Sequence, residues 1–132
     1  MNTKLLMSAS AIFLAIMGLL FSFLPQEIII YLGVDANVFS ILFLQILGSL
    51  YLGFGILNWI AKGSLIGGIY NKPVAIGNFM HFLVGAITLV KVVFENHMHP
   101  EILISLTIIY VIFALSFAYV FMNSPKKIGT DK

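Results

Sequence analysis

The chain has 132 residues, of which 61% are hydrophobic and 9% charged, and its mean hydropathy is +1.08. So little polar surface excludes a soluble globule and predicts an integral membrane protein. The net charge of +2 comes from seven lysines without any arginine, and there is no cysteine. We therefore expect no nucleic-acid partner, because bidentate contacts to phosphates and bases depend on arginine, and no disulfide, thiolate metal site or cysteine nucleophile.

Four apolar runs occupy most of the chain. They cover about residues 5–24, 39–60, 73–94 and 101–122. Each is long enough to cross a hydrocarbon layer of about 30 Å at about 1.5 Å per helical residue. The pattern predicts an all-α fold in which residues 1–132 form a single integral membrane domain, a polytopic four-helix bundle with short loops. Pro25 follows the first run, and Pro73 and Pro100 stand at the starts of the third and fourth, where proline costs no hydrogen bond.

The first run has a second interpretation, because Lys4 precedes an apolar stretch as in a secretory signal. The stretch ends in the letters FSFLPQE, which contain no small-x-small cleavage site. We interpret the run as a retained helix.

The lysines predict the orientation of the helices. Under four spans, one side of the membrane holds Lys4, Lys62, Lys72, Lys126, Lys127 and Lys132. The other side holds Glu27, Asp35, Glu95 and Glu101, with Lys91 at its edge. Because cytoplasmic loops carry an excess of lysine, we expect both termini in the cytoplasm and the protein in the cell inner membrane.

Small and polar residues indicate which helix faces meet protein rather than lipid. The first helix carries a stripe of small residues that we expect to face the bundle: Ser8, Ala11, Ala15, Gly18 and Ser22. The second and third helices carry the candidate ligand-binding residues Gln45, Asn58, Asn78 and His81. Polar side chains at membrane depth need internal partners. One interpretation is a polar pocket in which His81 bonds a ligand headgroup or relays a proton. The other is that these groups bond to each other and hold two helices in register.

Absent residues argue against several activities. No carboxylate lies within a span, whereas ion-coupled carriers usually place one there. Small multidrug resistance transporters are similar in size and span count, but they carry a glutamate in the first helix, where this chain has serines. Bis-histidine haem ligation lacks a second intramembrane imidazole. Ser49 and His81 have no acidic partner for hydrolysis, so we expect neither an enzyme nor a cofactor.

Two loops remain open to interpretation. The third, ENHMHPE, holds His97 and His99, which either ligate a metal with a carboxylate or belong to a polar hairpin with Lys91 and Glu95 paired. We expect the hairpin and no metal. The second, AKGSLIGGIYNKP, either holds an anionic group through Gly67, Gly68 and its lysines or is an interfacial turn, which we favour.

The run LGSLYLGFGILNWIAKGSLIGGIYNKPVAIGNFMHFLVGA resembles the core of small bacterial four-helix membrane proteins grouped as DoxX-like. The resemblance implies the four-helix fold and assigns no catalytic residue. Together these observations predict a small protein of the bilayer that binds a lipid-like or small amphipathic molecule. Two alternatives stay open: an accessory subunit, in contact with copies of itself or with another membrane protein, and a small dimeric transporter.

Overall fold

The structure is a computed structural model that describes residues 2–64, 71–95 and 99–123. This part of the chain is all-helical. Its five helices are α1 (Thr3–Phe23), α2 (Pro25–Tyr31), α3 (Val38–Ala61), α4 (Lys72–Glu95) and α5 (Pro100–Met122). The four long helices are long and apolar enough to cross a membrane, which confirms the predicted all-α fold with four such helices. The sequence predictions for Gly67, Gly68, His97 and the tail lysines fall outside the described residues.

Local signals explain where the helices begin. The Asn2 side chain accepts a hydrogen bond from the Leu5 amide at the start of α1. Asn37 and Ser40 form a reciprocal capping box at the start of α3. The last helix, α5, begins at Pro100 with Glu101 in its first turn, where a carboxylate suits the helix dipole.

The short helix α2 was not predicted from the sequence, in which residues 25–38 read as a loop. Pro25 occupies its first turn together with Glu27, and both are favourable there. Ile29 is buried, and α2 packs against α1 and α3. Seven residues are too few for a clear periodic signal, so tertiary contacts rather than propensity hold this helix in place.

The long helices are arranged as two antiparallel pairs. The α1 helix packs along α3, and α4 packs along α5, while the backbones of the two pairs approach each other at few places. In the first pair Gly18 meets Gly48 and Leu52, and Gly55 meets Ala11 and Ala15. The predicted small-residue stripe of α1 therefore faces α3, where it allows the close backbone approach that such residues provide in membranes.

Aromatic rings fill the space between the two pairs. The ring of Phe82 in α4 stacks on Phe113 at 4.7 Å and on Phe117 at 5.8 Å, measured between ring centroids. Phe13 of α1 lies 6.5 Å from Phe82 and 6.0 Å from Tyr110. The two pairs are thus joined mainly by side chains in the middle of the bundle, where the candidate site lies.

Candidate functional site

Two of the predicted site residues form a buried amide pair between α3 and α4. The Asn58 Nδ2 donates to Asn78 Oδ1 at 2.7 Å, and Asn78 Nδ2 donates to Asn58 Oδ1, also at 2.7 Å. Asn58 Nδ2 also donates to Ser10 Oγ of α1 at 3.0 Å. All three side chains are fully buried. The cluster therefore ties three helices together at one depth.

The hydrogen-bond donors of this cluster are all used. Each amide carries two N–H donors, and the second N–H of Asn78 goes to the Val74 carbonyl at 2.9 Å. The Ser10 hydroxyl donates to the Met7 carbonyl at 3.1 Å. No donor is left for a ligand within this cluster, so the geometry of Asn58 and Asn78 matches the interpretation in which polar groups hold helices in register.

Sequence reasoning did not identify Ser10 as the third member. It placed Ser8 on the inner face of α1, whereas Ser10 is fully buried and Ser8 is half-buried. The missed signal is the spacing of Met7, Ser10, Ala11 and Leu14, which repeats at three and four residues and is buried throughout.

Gln45 lies apart from the amide cluster. It is thirteen positions before Asn58 on α3, about 20 Å along the helix axis. Its side chain is exposed, and its Nε2 donates to the Ser22 carbonyl at 3.5 Å. The structure thus brings Asn58 and Asn78 together but does not bring Gln45 to them.

His81 lies one helical turn beyond Asn78 and is surrounded by rings. Its imidazole stacks on Phe54 at 5.5 Å and meets the edges of Tyr51 and Phe82 at 5.1 and 4.9 Å. The Nε2 atom is buried and has no hydrogen-bond partner among the described residues. His81 is therefore outside the amide network to which the sequence assigned it.

A tyrosine pair lies at the centre of the bundle. The hydroxyls of Tyr51 and Tyr110 are hydrogen-bonded to each other, and both side chains are buried. They join α3 to α5, whose backbones do not pack together within the described residues. Gly85 makes room for this contact, because a Cβ at that position would collide with the Tyr110 ring.

The tyrosine pair borders a cavity of about 300 Å³. All four long helices contribute to its wall, which consists of Met17, Phe21, Leu47, Tyr51, Gly85, Thr88, Leu89, Leu106 and Tyr110. Polar groups come only from the two tyrosines and Thr88, and no lining residue is charged. The cavity lies in the half of the bundle opposite the amide cluster.

Other hollows are part of the outer surface. One of about 540 Å³ is lined by α3 alone, from Ile46 to Leu57. Another, of about 310 Å³, lies in the seam between α4 and α5. Because each is bounded by only one or two helices, these hollows belong to the outer surface of the bundle.

The structure describes part of the loop between α4 and α5, for which the sequence left a polar hairpin and a metal site open. Lys91 Nζ lies 3.9 Å from Glu95 Oε1, as the hairpin interpretation predicts. His99 Nδ1 lies 4.0 Å from Glu101 Oε1, and the His99 ring stacks on Tyr31 at 5.1 Å. Across residues 2–64, 71–95 and 99–123, no group of three or more metal-ligating side chains occurs.

Comparison of the chain with protein-family models, curated proteins and solved structures finds no match. The features that bear on function are therefore the cavity and the residues around it.

Proposed function

We propose that this protein is a multi-pass protein of the cell inner membrane that binds a lipid-like or small amphipathic molecule between its four long helices. The observation that carries the proposal is the cavity of about 300 Å³ with walls from all four of them. Its volume is at the lower end of the range for small-molecule sites, and it combines apolar walls with a few convergent polar groups, as such sites usually do.

The polar residues have separate roles in this proposal. Asn58 and Asn78 hold three helices in register, because their donors are saturated within the protein. Tyr51 and Tyr110 offer polar contact to the ligand, since their side chains line the cavity. His81 lies behind the tyrosine rings and supports their position.

The ends of the bundle support the proposed orientation. Lys4, Lys62 and Lys72 lie at the end where α1 and α4 begin, and Lys62 Nζ lies 2.9 Å from the centroid of the Trp59 ring. The described carboxylates, Glu27, Asp35, Glu95 and Glu101, all lie at the opposite end. This segregation favours a cytoplasmic basic end.

Cysteine labelling tests the orientation, because the natural chain has no cysteine. In intact spheroplasts, a membrane-impermeant maleimide is expected to label an Asp35→Cys variant and to leave a Ser64→Cys variant unlabelled until the membrane is permeabilised. The reverse pattern would contradict the proposed orientation.

Filling the cavity tests the binding function. We expect Leu106→Trp, at the cavity wall, to abolish retention of a co-purifying small molecule, because the indole occupies the ligand's space. The control is Ile108→Trp on the same helix, where the wild-type side chain is 53% exposed and the added ring projects outward. Native mass spectrometry after gentle extraction reports the protein mass and any bound molecule together.

The outcomes separate the proposal from the accessory-subunit alternative. A small molecule retained by wild type and Ile108→Trp but lost from Leu106→Trp supports a binding protein. A bare oligomer or a co-purifying protein, unaffected by either substitution, indicates instead an accessory subunit. We also propose, from the resemblance of the sequence to DoxX-like proteins, that the chain shares their four-helix fold.

A further inference from the structure

The cavity wall restricts the charge of any ligand inside it. None of its lining residues is charged, and the Lys91–Glu95 ion pair is exposed at the end of α4. An ionised group placed among these residues would lose its hydration without gaining a counter-charge. The part of the ligand that enters the cavity is therefore uncharged.

One hydroxyl proton of the Tyr51–Tyr110 pair has no acceptor among the described residues. The two phenols carry two O–H groups, and their mutual hydrogen bond uses only one of them. In the part of the chain that the structure describes, neither hydroxyl has a second hydrogen-bond partner, and His81 Nε2 accepts from neither. Thr88 Oγ1 already donates to the Val84 carbonyl at 3.0 Å. One phenolic proton is thus left without an acceptor.

We infer that the ligand is an uncharged molecule that presents a carbonyl oxygen to the Tyr51–Tyr110 pair and lays an apolar chain along the rest of the cavity. This inference rests on the proposed binding function and names its ligand class. A carbonyl accepts the open O–H and adds no donor of its own that would need a partner at membrane depth. A ligand hydroxyl satisfies the same O–H but brings a further proton, which a phenolic oxygen must accept in turn.

Three eleven-carbon probes test the ligand class in protein reconstituted into lipid nanodiscs: methyl nonyl ketone, undecane and undecanoate. We expect the ketone to bind about three- to tenfold more tightly than undecane, the gain that one hydrogen bond supplies. Undecanoate is expected to bind most weakly. With carbon-13 at the ketone carbonyl, infrared spectroscopy should show a second carbonyl band at lower frequency from the hydrogen-bonded molecule.

Phenylalanine variants identify the donor. In Tyr51→Phe or Tyr110→Phe the remaining phenol still has a free O–H, so each single variant should keep the shifted band. The double variant Tyr51→Phe/Tyr110→Phe should lose the band and the preference for ketone over undecane while still binding both. The control is Tyr119→Phe, on the outer face of α5, where the tyrosine is 54% exposed.

The results distinguish this inference from the binding function. A shifted band that survives in the double variant, or wild type that binds ketone and undecane equally, overturns the carbonyl assignment alone. Tighter binding of undecanoate overturns it too. If no probe binds wild type, or if Leu106→Trp leaves probe binding unchanged, the proposed binding function fails. Should the double variant not fold, absence of the shifted band from wild type and both single variants still overturns the inference.

Discussion

Gly48→Ala is expected to lower the free energy of unfolding by about 1–3 kcal/mol, the range found for adding a methylene to a well-packed core. A Cβ at this position would lie 2.8 Å from the Ser22 backbone nitrogen and 3.0 Å from the Gly18 carbonyl oxygen. Backbone atoms of a neighbouring helix cannot rotate aside as a flexible side chain can. Accommodating even one methyl group therefore requires α1 and α3 to separate.

The matched control is Gly53→Ala, one and a half turns further along the same helix. No atom lies within 4 Å of a Cβ built there, so only the helix propensity changes, in favour of alanine. Unfolding titrations with sodium dodecyl sulfate, followed by the loss of helical circular dichroism, compare the two variants. Equal stabilities would contradict the close α1–α3 contact.

The second large effect is expected at the buried amides. Asn58→Leu or Asn78→Leu should each cost about 1–3 kcal/mol, because each leaves the partner's amide buried without its hydrogen bonds. The double variant should cost less than the sum of the two, since it removes both halves of the pair. We expect a coupling of about 1 kcal/mol between the two positions.

The same detergent titration on wild type, both single variants and the double variant measures this coupling. Asn123→Leu serves as a control, because Asn123 is exposed beyond the end of α5 and its amide donates to the Tyr119 carbonyl of the preceding turn. Additive effects at Asn58 and Asn78 would show that the two amides act independently, against the paired geometry.

Sequence patterns predicted the helices better than the contacts between them. Runs of apolar residues with proline at their ends indicate spans directly, and the long helices begin and end close to those runs. The small-residue stripe of α1 also indicated the face that meets the bundle, and its Gly18 lies against Gly48 and Leu52 of α3. Asn58 and Asn78 could also be predicted to face the bundle, because polar side chains within a span need internal partners.

The contact between Tyr51 and Tyr110 could not be predicted from the sequence. When both lipid and protein are apolar, hydrophobic periodicity does not distinguish the inner face of a helix from the outer one. Tyrosine adds ambiguity, because it is common at membrane interfaces as well as in buried hydrogen bonds. Nothing in the sequence pattern joins Tyr110 to Tyr51, fifty-nine positions earlier. Only the packing of four helices brings these two residues together.

The division into two helix pairs has a consequence for how the protein is made. The glycine contacts of the α1–α3 pair lie within the first sixty-one residues, so this hairpin can close before α4 has left the ribosome. The ring contacts of Phe82 with Phe113 and Phe117, in contrast, depend on residues that are synthesised later. Until the second hairpin is present, Asn58 and Ser10 lack Asn78 as a partner. Because the Asn58 amide gains its hydrogen bonds to Asn78 only then, this amide favours association of the first hairpin with the second.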